Sequence, residues 1–204
     1  MTLSTDNLAC RRGHRTLFSG LNLAVGAGQV LLVEGSNGSG KTSLLKMLSG
    51  LRAPDEGEIY WHDTPIRKLG ADYRRHLAWL GHDNGIKEDL TAAENLRLAT
   101  ALAPAGPRSL NEALDEVGLR DRKHTLPRLF SAGMKRRLAL ARLRLLDSRL
   151  WILDEPQTAL DKTGIALFES ILTDHLQAGG MAVMTSHHDV ELDESLLVRL
   201  RLSE

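Results

Sequence analysis

Nine consecutive residues, Gly35-Ser36-Asn37-Gly38-Ser39-Gly40-Lys41-Thr42-Ser43, constrain this chain more than any other stretch. They satisfy G-x-x-x-x-G-K-[ST], whose glycines let the backbone turn tightly enough for successive N–H groups to converge on an anion. Lys41 brings a positive charge to β- and γ-phosphates, and the Thr42 hydroxyl is a Mg²⁺ ligand by type. The flanks agree with this. Val30-Leu31-Leu32-Val33 reads as a buried strand, and Leu44, Leu45, Met47, Leu48 and Leu51 have helical spacing. A strand that feeds such a loop into a helix N-terminus predicts binding of a nucleoside triphosphate.

The remaining chain reads as alternating strands and helices. Leu21, Leu23 and Val25 alternate with polar or small residues as a half-buried strand, turned by Gly26-Ala27-Gly28 into the loop-bearing strand. Pro54-Asp55-Glu56-Gly57 is a turn into a strand over Glu58–Trp61, and Leu77-Ala78-Trp79-Leu80 is another, ending at Gly81-His82-Asp83. Thr91-x-x-Glu94 is a capping box for a helix carrying Leu96 and Leu98; the segment Ala103–Pro107 breaks it, and Ser109 starts the next. From about 84 to 147 the pattern is helical. The runs Arg149–Asp154 and Met181–Ser186 are continuously apolar enough for parallel strands covered on both faces, with Ile165, Phe168 and Leu172 on a helix between them. In such a sheet, ligands gather at the carboxyl ends of the strands, where Asp83, Asp154 and His187 all fall.

Composition narrows the class. A chain of 204 residues holds one domain with a real core. Lysine plus arginine and aspartate plus glutamate both number 26, which gives no basic field for nucleic acid and predicts no nucleic-acid partner. The first residues, MTLSTDNLACRRG, have no apolar stretch of signal-peptide type, and no apolar run is long enough for a bilayer, so the expectation is a cytoplasmic domain whose membrane role comes through partners. One cysteine, Cys10, excludes an internal disulfide and reads as a buried, inert thiol.

Asp154-Glu155-Pro156 follows an apolar run: an aspartate there can hold Mg²⁺, and the adjacent carboxylate can polarise an attacking water. Paired acids at a strand end are also ordinary turn residues, but a phosphate loop in the same chain favours chemistry. Together with Phe130-Ser131-Ala132-Gly133-Met134, Ala159-Leu160-Asp161 and His187, in this order and spacing, these motifs resemble the ATP-binding-cassette ATPases over nearly the whole chain. The resemblance implies an α/β P-loop NTPase core with a mainly parallel sheet, an N-terminal antiparallel β portion and an inserted α-helical subdomain over about 84–147. It implies Asp154 as a Mg²⁺ ligand beside Thr42, Glu155 as catalytic base, His187 as the switch residue on the γ-phosphate and Asp161 in the D-loop. It also implies that Ser131, Ala132 and Gly133 complete the pocket of a second copy, with ATP joining two head-to-tail chains; pairing with a different ATPase stays open.

Ser131 precedes a helix whose Met134, Leu138, Ala141 and Leu145 share a face, so its hydroxyl and the first free N–H groups form a second anion site. The basic residues that follow, Lys135, Arg136, Arg137, Arg142 and Arg144, are expected to lie mostly on a solvated face. Three positions depart from the family. Met134 replaces a glutamine. Asp83, beside His82, stands where a glutamine approaches Mg²⁺; an aspartate can coordinate the ion directly or through water, and His82 is the other candidate. Arg12 stands near the place of an adenine-stacking aromatic; its guanidinium can stack on a base, and a plain surface arginine fits equally.

Within the family, Cys10–Leu21, Gly81–Lys87 and the Ser-Ala-Gly signature resemble the haem-exporter ATPases of bacterial cytochrome c maturation. That resemblance implies a peripheral subunit on the cytoplasmic face of the inner membrane, acting with CcmB-, CcmC- and CcmD-like membrane subunits, whose ATP hydrolysis drives release of a haem-loaded chaperone. The alternatives are the ATPase of another small exporter, or a non-transport cassette. A GTPase is disfavoured: Asp161-Lys162-Thr163-Gly164 imitates one of its motifs, but no Asn-Lys-x-Asp guanine reader exists.

Overall fold

The computed structural model describes residues 1–186, 190 and 192–202. In chain order the elements are β1 (Thr2–Arg12), β2 (Arg15–Gly26), β3 (Val30–Glu34), α1 (Lys41–Leu48), β4 (Glu56–Trp61), β5 (Thr64–Pro65), α2 (Ile66–Leu69), α3 (Ala71–Arg75), β6 (Leu77–Leu80), α4 (Ala92–Leu102), α5 (Leu110–Glu116), α6 (Ala132–Leu145), β7 (Leu150–Asp154), α7 (Lys162–Gln177), β8 (Met181–Thr185) and β9 (Leu197–Arg201). They form two sheets. An antiparallel one has the order β2-β1-β4-β5, and a five-stranded one the order β6-β7-β8-β3-β9. Every pairing in the second sheet is parallel. The architecture is the α/β one expected, with the antiparallel portion built largely from the N-terminal strands.

The parallel sheet divides the core into two. Val30 and Leu32 of β3, Trp151 and Leu153 of β7, and Ala182 and Met184 of β8 face one apolar layer with α4, α5, α6 and α7. Their alternates, Leu31, Val33, Leu150, Ile152, Met181 and Val183, face the other with α1 and the antiparallel sheet. Both faces are covered, which is why these strands are apolar at every position rather than at every second one.

Local chemistry fixes the helices. Both expected starts are capping boxes: Thr91 with Glu94 opens α4, and Ser109 with Glu112 opens α5. The stretch 84–147 carries α4, α5 and α6, and an isolated bridge pairs Ala105 with Leu146. Leu51 departs from its expected place on the first helix. That helix stops at Leu48, Gly50 takes a left-handed φ of 71°, and Leu51 is 64 % exposed. The glycine reverses the chain before another turn can form. Cys10 is fully buried, and burial pushes its thiol pKa up, in keeping with an inert role.

One buried titratable group belongs to the fold rather than the site. His175, on the last turn of α7, stacks on Trp151 with ring centroids 3.8 Å apart and an interplanar angle of 8°. Its Nε2 donates to the Met181 carbonyl at 3.1 Å. Gly180 makes room, since a Cβ there would lie 2.3 Å from the ring. Burial pushes the His175 pKa down to about 4, aided by Arg149 and opposed by the Met181 hydrogen bond. The unfolded chain takes up a proton near pH 6.5 that the folded chain refuses until about pH 4. The stability contributed is therefore complete above pH 6.5 and is lost as pH falls toward 4, by on the order of 3 kcal/mol. Urea unfolding followed from pH 7.5 to 5 checks this: His175→Phe should flatten the acid limb, and equal slopes in both proteins would remove His175 as its cause.

Candidate active site

The site is assembled where the parallel strands end. β3 delivers the phosphate loop, and the register sets Asp154 of β7 opposite Thr185 of β8, with Val33 level on the other side. Within the loop, Gly35 has a φ of 149°, and a Cβ there would lie 2.7 Å from both Leu202 O and Ser39 Oγ. Gly40, at φ 105°, caps α1 without a side-chain hydrogen bond, and the first turn of α1 has no acidic residue. Its N–H groups and helix dipole are left to an anion. Ser39 Oγ is buried and finds no partner among the described residues. Lys41 is 8 % exposed and donates to the carbonyls of Gly35 at 2.6 Å and Ser36 at 3.1 Å, which holds the ammonium over the loop.

Asp154 is clamped on both oxygens. Thr42 Oγ1 donates to Oδ2 at 2.9 Å, and Thr185 Oγ1 donates to Oδ1 at 2.7 Å. Thr185 Oγ1 also accepts from the Glu155 N–H at 2.9 Å. Glu155 lies at φ +49°, a left-handed conformation that a non-glycine residue holds only when its surroundings impose it. The cleft is walled by Ser36, Asn37, Gly38, Gly40, Lys41, Thr42 and Ser43, by Glu155, and by Arg12 and Leu17 from the β1–β2 hairpin. Thr42 and Asp154 offer adjacent hard oxygens, the donor type Mg²⁺ takes when phosphate and water complete its shell. The donor set fits the ion.

Other expected residues lie elsewhere. Ser131 caps α6, accepting from Met134 N at 3.2 Å, and α6 has no acidic residue in its first turn. With Gly133, Met134, Arg137 and Asp161 it lines a second cleft, apart from the one at Lys41. Ala132 is exposed at the first position of α6. Gly133 packs on the loop before α7, where a Cβ would lie 3.0 Å from Ala159 O. Asp161 caps α7; its carboxylate accepts from Gly164 N at 2.8 Å, Thr163 Oγ1 at 3.0 Å and Arg137 Nη2 at 3.0 Å, which lower its pKa in that order. His82 and Asp83 are exposed and line neither cleft. Their neighbour Asn84 accepts from Arg136 at 3.0 Å. His187 lies outside the described residues.

The basic residues of α6 do not form a solvated face. Arg136 is 2 % exposed, Arg144 is 9 % exposed, and Lys135, Arg137 and Arg142 are all part-buried. Burial pushes the Arg136 pKa down to about 10, against the pull of Asp154 and Glu155, so it stays charged at neutral pH. A signal existed in the sequence. At about 100° per residue, positions 135, 136, 137, 142 and 144 span roughly 220° of the helix, more than the one side a solvated face occupies. Thr185 was missed because a strand-end threonine is unremarkable until its register partner is known to be Asp154.

A parallel sheet with a phosphate loop opening α1 and an acidic pair at a neighbouring strand end defines a P-loop nucleoside triphosphatase. The chain belongs to the ABC transporter family, whose model matches residues 18–158, and it is an ABC-type, nucleotide-binding ATPase. It is 48% identical over 203 residues to the cytochrome c biogenesis ATP-binding export protein CcmA of Nitrosomonas europaea, covering 98% of this chain and 95% of that protein. It is 47% identical over 204 residues to the protein of the same name from Nitrosospira multiformis, with 99% of each covered. Among solved structures, an ATP-binding subunit of an ABC transporter superposes with a TM-score of 0.86 at 26% identity, covering 99% of this chain and 88% of that one. A putative ABC transporter ATP-binding protein from Pyrococcus furiosus gives 0.84 at 25% identity, covering 99% of this chain and 98% of that one.

Replacing Thr185 tests the clamp. Thr185→Val keeps the shape but removes a donor to buried Asp154 and the acceptor of the Glu155 N–H. The expected loss is about 1–3 kcal/mol, a fall in Tm on the order of 5 °C for a chain of this size. Thr185→Ser should restore most of it. Calorimetry in which the Val variant melts with the wild type would leave the clamp without energetic weight.

Proposed function

We infer that this chain is the ATP-binding and ATP-hydrolysing subunit of the export complex that serves cytochrome c biogenesis. The observation that carries the chemistry is the cleft walled by the phosphate loop, Thr42 and Glu155, with Asp154 bonded directly behind Thr42. The end-to-end similarity to CcmA proteins, 48% and 47% over 203 and 204 residues, supports the biological assignment.

In this reading the amides of residues 36–43 and Lys41 hold the triphosphate, and Arg12 and Leu17 wall the side toward the base. Thr42 and Asp154 would hold Mg²⁺, which when bound would supply charge shielding and polarisation of the γ-phosphoryl group. Thr185 fixes Asp154 by one oxygen and leaves the other beside Thr42. Glu155 polarises a water and takes its proton as the water oxygen attacks the γ-phosphorus; the bond to the ADP oxygen breaks, and ADP and phosphate leave. His187 would contact the γ-phosphate during that step, and Asp83 or His82, which line neither cleft here, would reach the metal only if the loop after β6 moved inward.

Ser131, Ala132 and Gly133 serve a second copy. Their cleft lies apart from Lys41 on the same chain, so two chains arranged head to tail give each nucleotide a loop from one and a signature from the other. Asp161 stands beside that seam. No helix among the described residues is long and apolar enough to cross a membrane. In this proposal the chain sits at the cytoplasmic face of the inner membrane beside permease subunits of the CcmB, CcmC and CcmD kind, and hydrolysis drives release of the haem-loaded chaperone.

Two variants separate binding from turnover. Lys41→Ala should weaken ATP binding by about 10–100-fold, the value of one or two charge-assisted hydrogen bonds. It should also fail to complement cytochrome c maturation. Glu155→Gln should keep ATP affinity, lose about 10²–10⁴-fold in turnover and shift toward dimer in ATP. Titration and light scattering measure both. Normal affinity in the Lys41 variant would sink the assignment of the pocket.

A further inference from the structure

The basic side chains of α6 hold the loop that follows β6. Lys135 pairs with Glu88. Arg142 donates to the carbonyls of Trp79 at 3.1 Å and Gly85 at 3.3 Å. Arg136 donates from Nη1 to Gly81 O at 3.0 Å and to Asn84 Oδ1 at 3.0 Å. Arg136 also faces the end of β7. Its Nε donates to Pro156 O at 2.8 Å, and its Nη2 to Asp154 O at 3.2 Å and Glu155 O at 2.5 Å.

A guanidinium carries five N–H donors in one rigid plane. All five are used here, on two segments that the sheet topology alone does not join beyond Leu80 and Leu153. Arg136 is 2 % exposed, so water cannot replace an acceptor that moves away. Displacing either segment strands a buried, charged donor. The carbonyls it holds flank a residue in a strained, left-handed conformation, Glu155 at φ +49°.

We propose that Arg136 is a positioning residue for ATP cleavage, tying the Gly81–Asn84 loop to the backbone of Asp154, Glu155 and Pro156 so that the loop's position sets the aim of the Glu155 carboxylate. This rests on the reading of Glu155 as the group that polarises water. Loop and carboxylate then move as one body. Lysine cannot substitute, because a single ammonium has neither the reach nor the five fixed donors.

The test uses the full chain with Arg136→Gln, Arg136→Lys, Asn84→Ala and the Arg136→Gln/Asn84→Ala double variant. ATP affinity, single-turnover cleavage and hydrogen exchange of the 81–88 amides with and without ATP are measured. Arg136→Gln should bind ATP within about threefold of wild type yet cleave it about 10–100-fold more slowly, the cost of a misaimed group. Asn84→Ala, which touches neither phosphate nor metal, should slow cleavage by about 3–10-fold. The double variant should be no slower than Arg136→Gln, since the link is already cut. ATP should alter exchange at 81–88 in wild type and not in Arg136→Gln. Full cleavage by Arg136→Lys, additive effects in the double variant, or a loss of ATP affinity equal to the loss of cleavage would overturn the proposal. So would normal cleavage in Asn84→Ala, which stays informative if Arg136→Gln fails to fold. A wild-type chain that bound no ATP would overturn the functional reading and this proposal with it. Wild-type binding and cleavage beside an unimpaired Arg136→Gln would overturn this proposal alone.

Discussion

Parallel pairing of β3, β8 and β7 is the constraint on which the site depends. Because these strands run the same way, their carboxyl ends come out on one edge, and the register puts Asp154 level with Thr185 and both near the start of the phosphate loop. Thr42, Asp154 and Thr185 are far apart in sequence, yet two hydroxyls close on one carboxylate at 2.9 Å and 2.7 Å. A slip of one residue in β7 would turn Asp154 away from both and bring Leu153 to the edge. The apolar layers on either face of the sheet resist that slip, since alternate residues of β7 are committed to different cores. Packing of the sheet thus sets the geometry of the charge.

Two of the five left-handed non-glycine residues among the described ones lie next to this clamp. Glu155 at φ +49° and Ala159 at φ +66° are non-glycine residues in left-handed conformations within five positions of each other. Each such residue costs on the order of 1–3 kcal/mol and persists only where neighbours impose it. At Glu155 those neighbours are Thr185, which accepts its N–H, and Arg136, which donates to its carbonyl. At Ala159 the carbonyl lies 3.0 Å from where a Cβ on position 133 would be, so α6 packs closely against it. The two strained residues therefore face the two clefts, one each, and the segment 155–161 connects them.

What the sequence made legible follows from how locally each feature is encoded. The phosphate loop, its strand and its helix are adjacent in the chain, and so are the capping boxes at Thr91 and Ser109; all were readable. The continuous apolar runs announced a two-faced sheet without giving its order. Leu51 was misplaced because helical spacing does not show where Gly50 will reverse the chain. The role of Thr185 rests on a pairing between strands, which no local pattern carries. The basic residues of α6 were misread for a related reason. Charge count suggests solvation, but the carbonyls that accept from Arg136 come from two other segments, 52 or more and 18–20 residues away. Their distribution around the helix was the available sign that they could not all reach water.

The position of α6 explains how one helix carries both an exposed cap and a buried arginine. Its first turn, with Ser131 and Ala132, lies at the surface, while Leu138, Ala139, Leu140, Ala141, Leu143 and Leu145 are core residues. Arg136 sits at the boundary, one turn from Ser131 and within hydrogen-bonding reach of Glu155 O. From its cap at Ser131 the helix runs as one continuous rod to Leu145. The rod's next fixed point is the guanidinium that holds the carbonyls of Asp154, Glu155 and Pro156. The surface cleft and the phosphate cleft of one chain, though separate, are therefore joined by less than two turns of helix and one planar side chain.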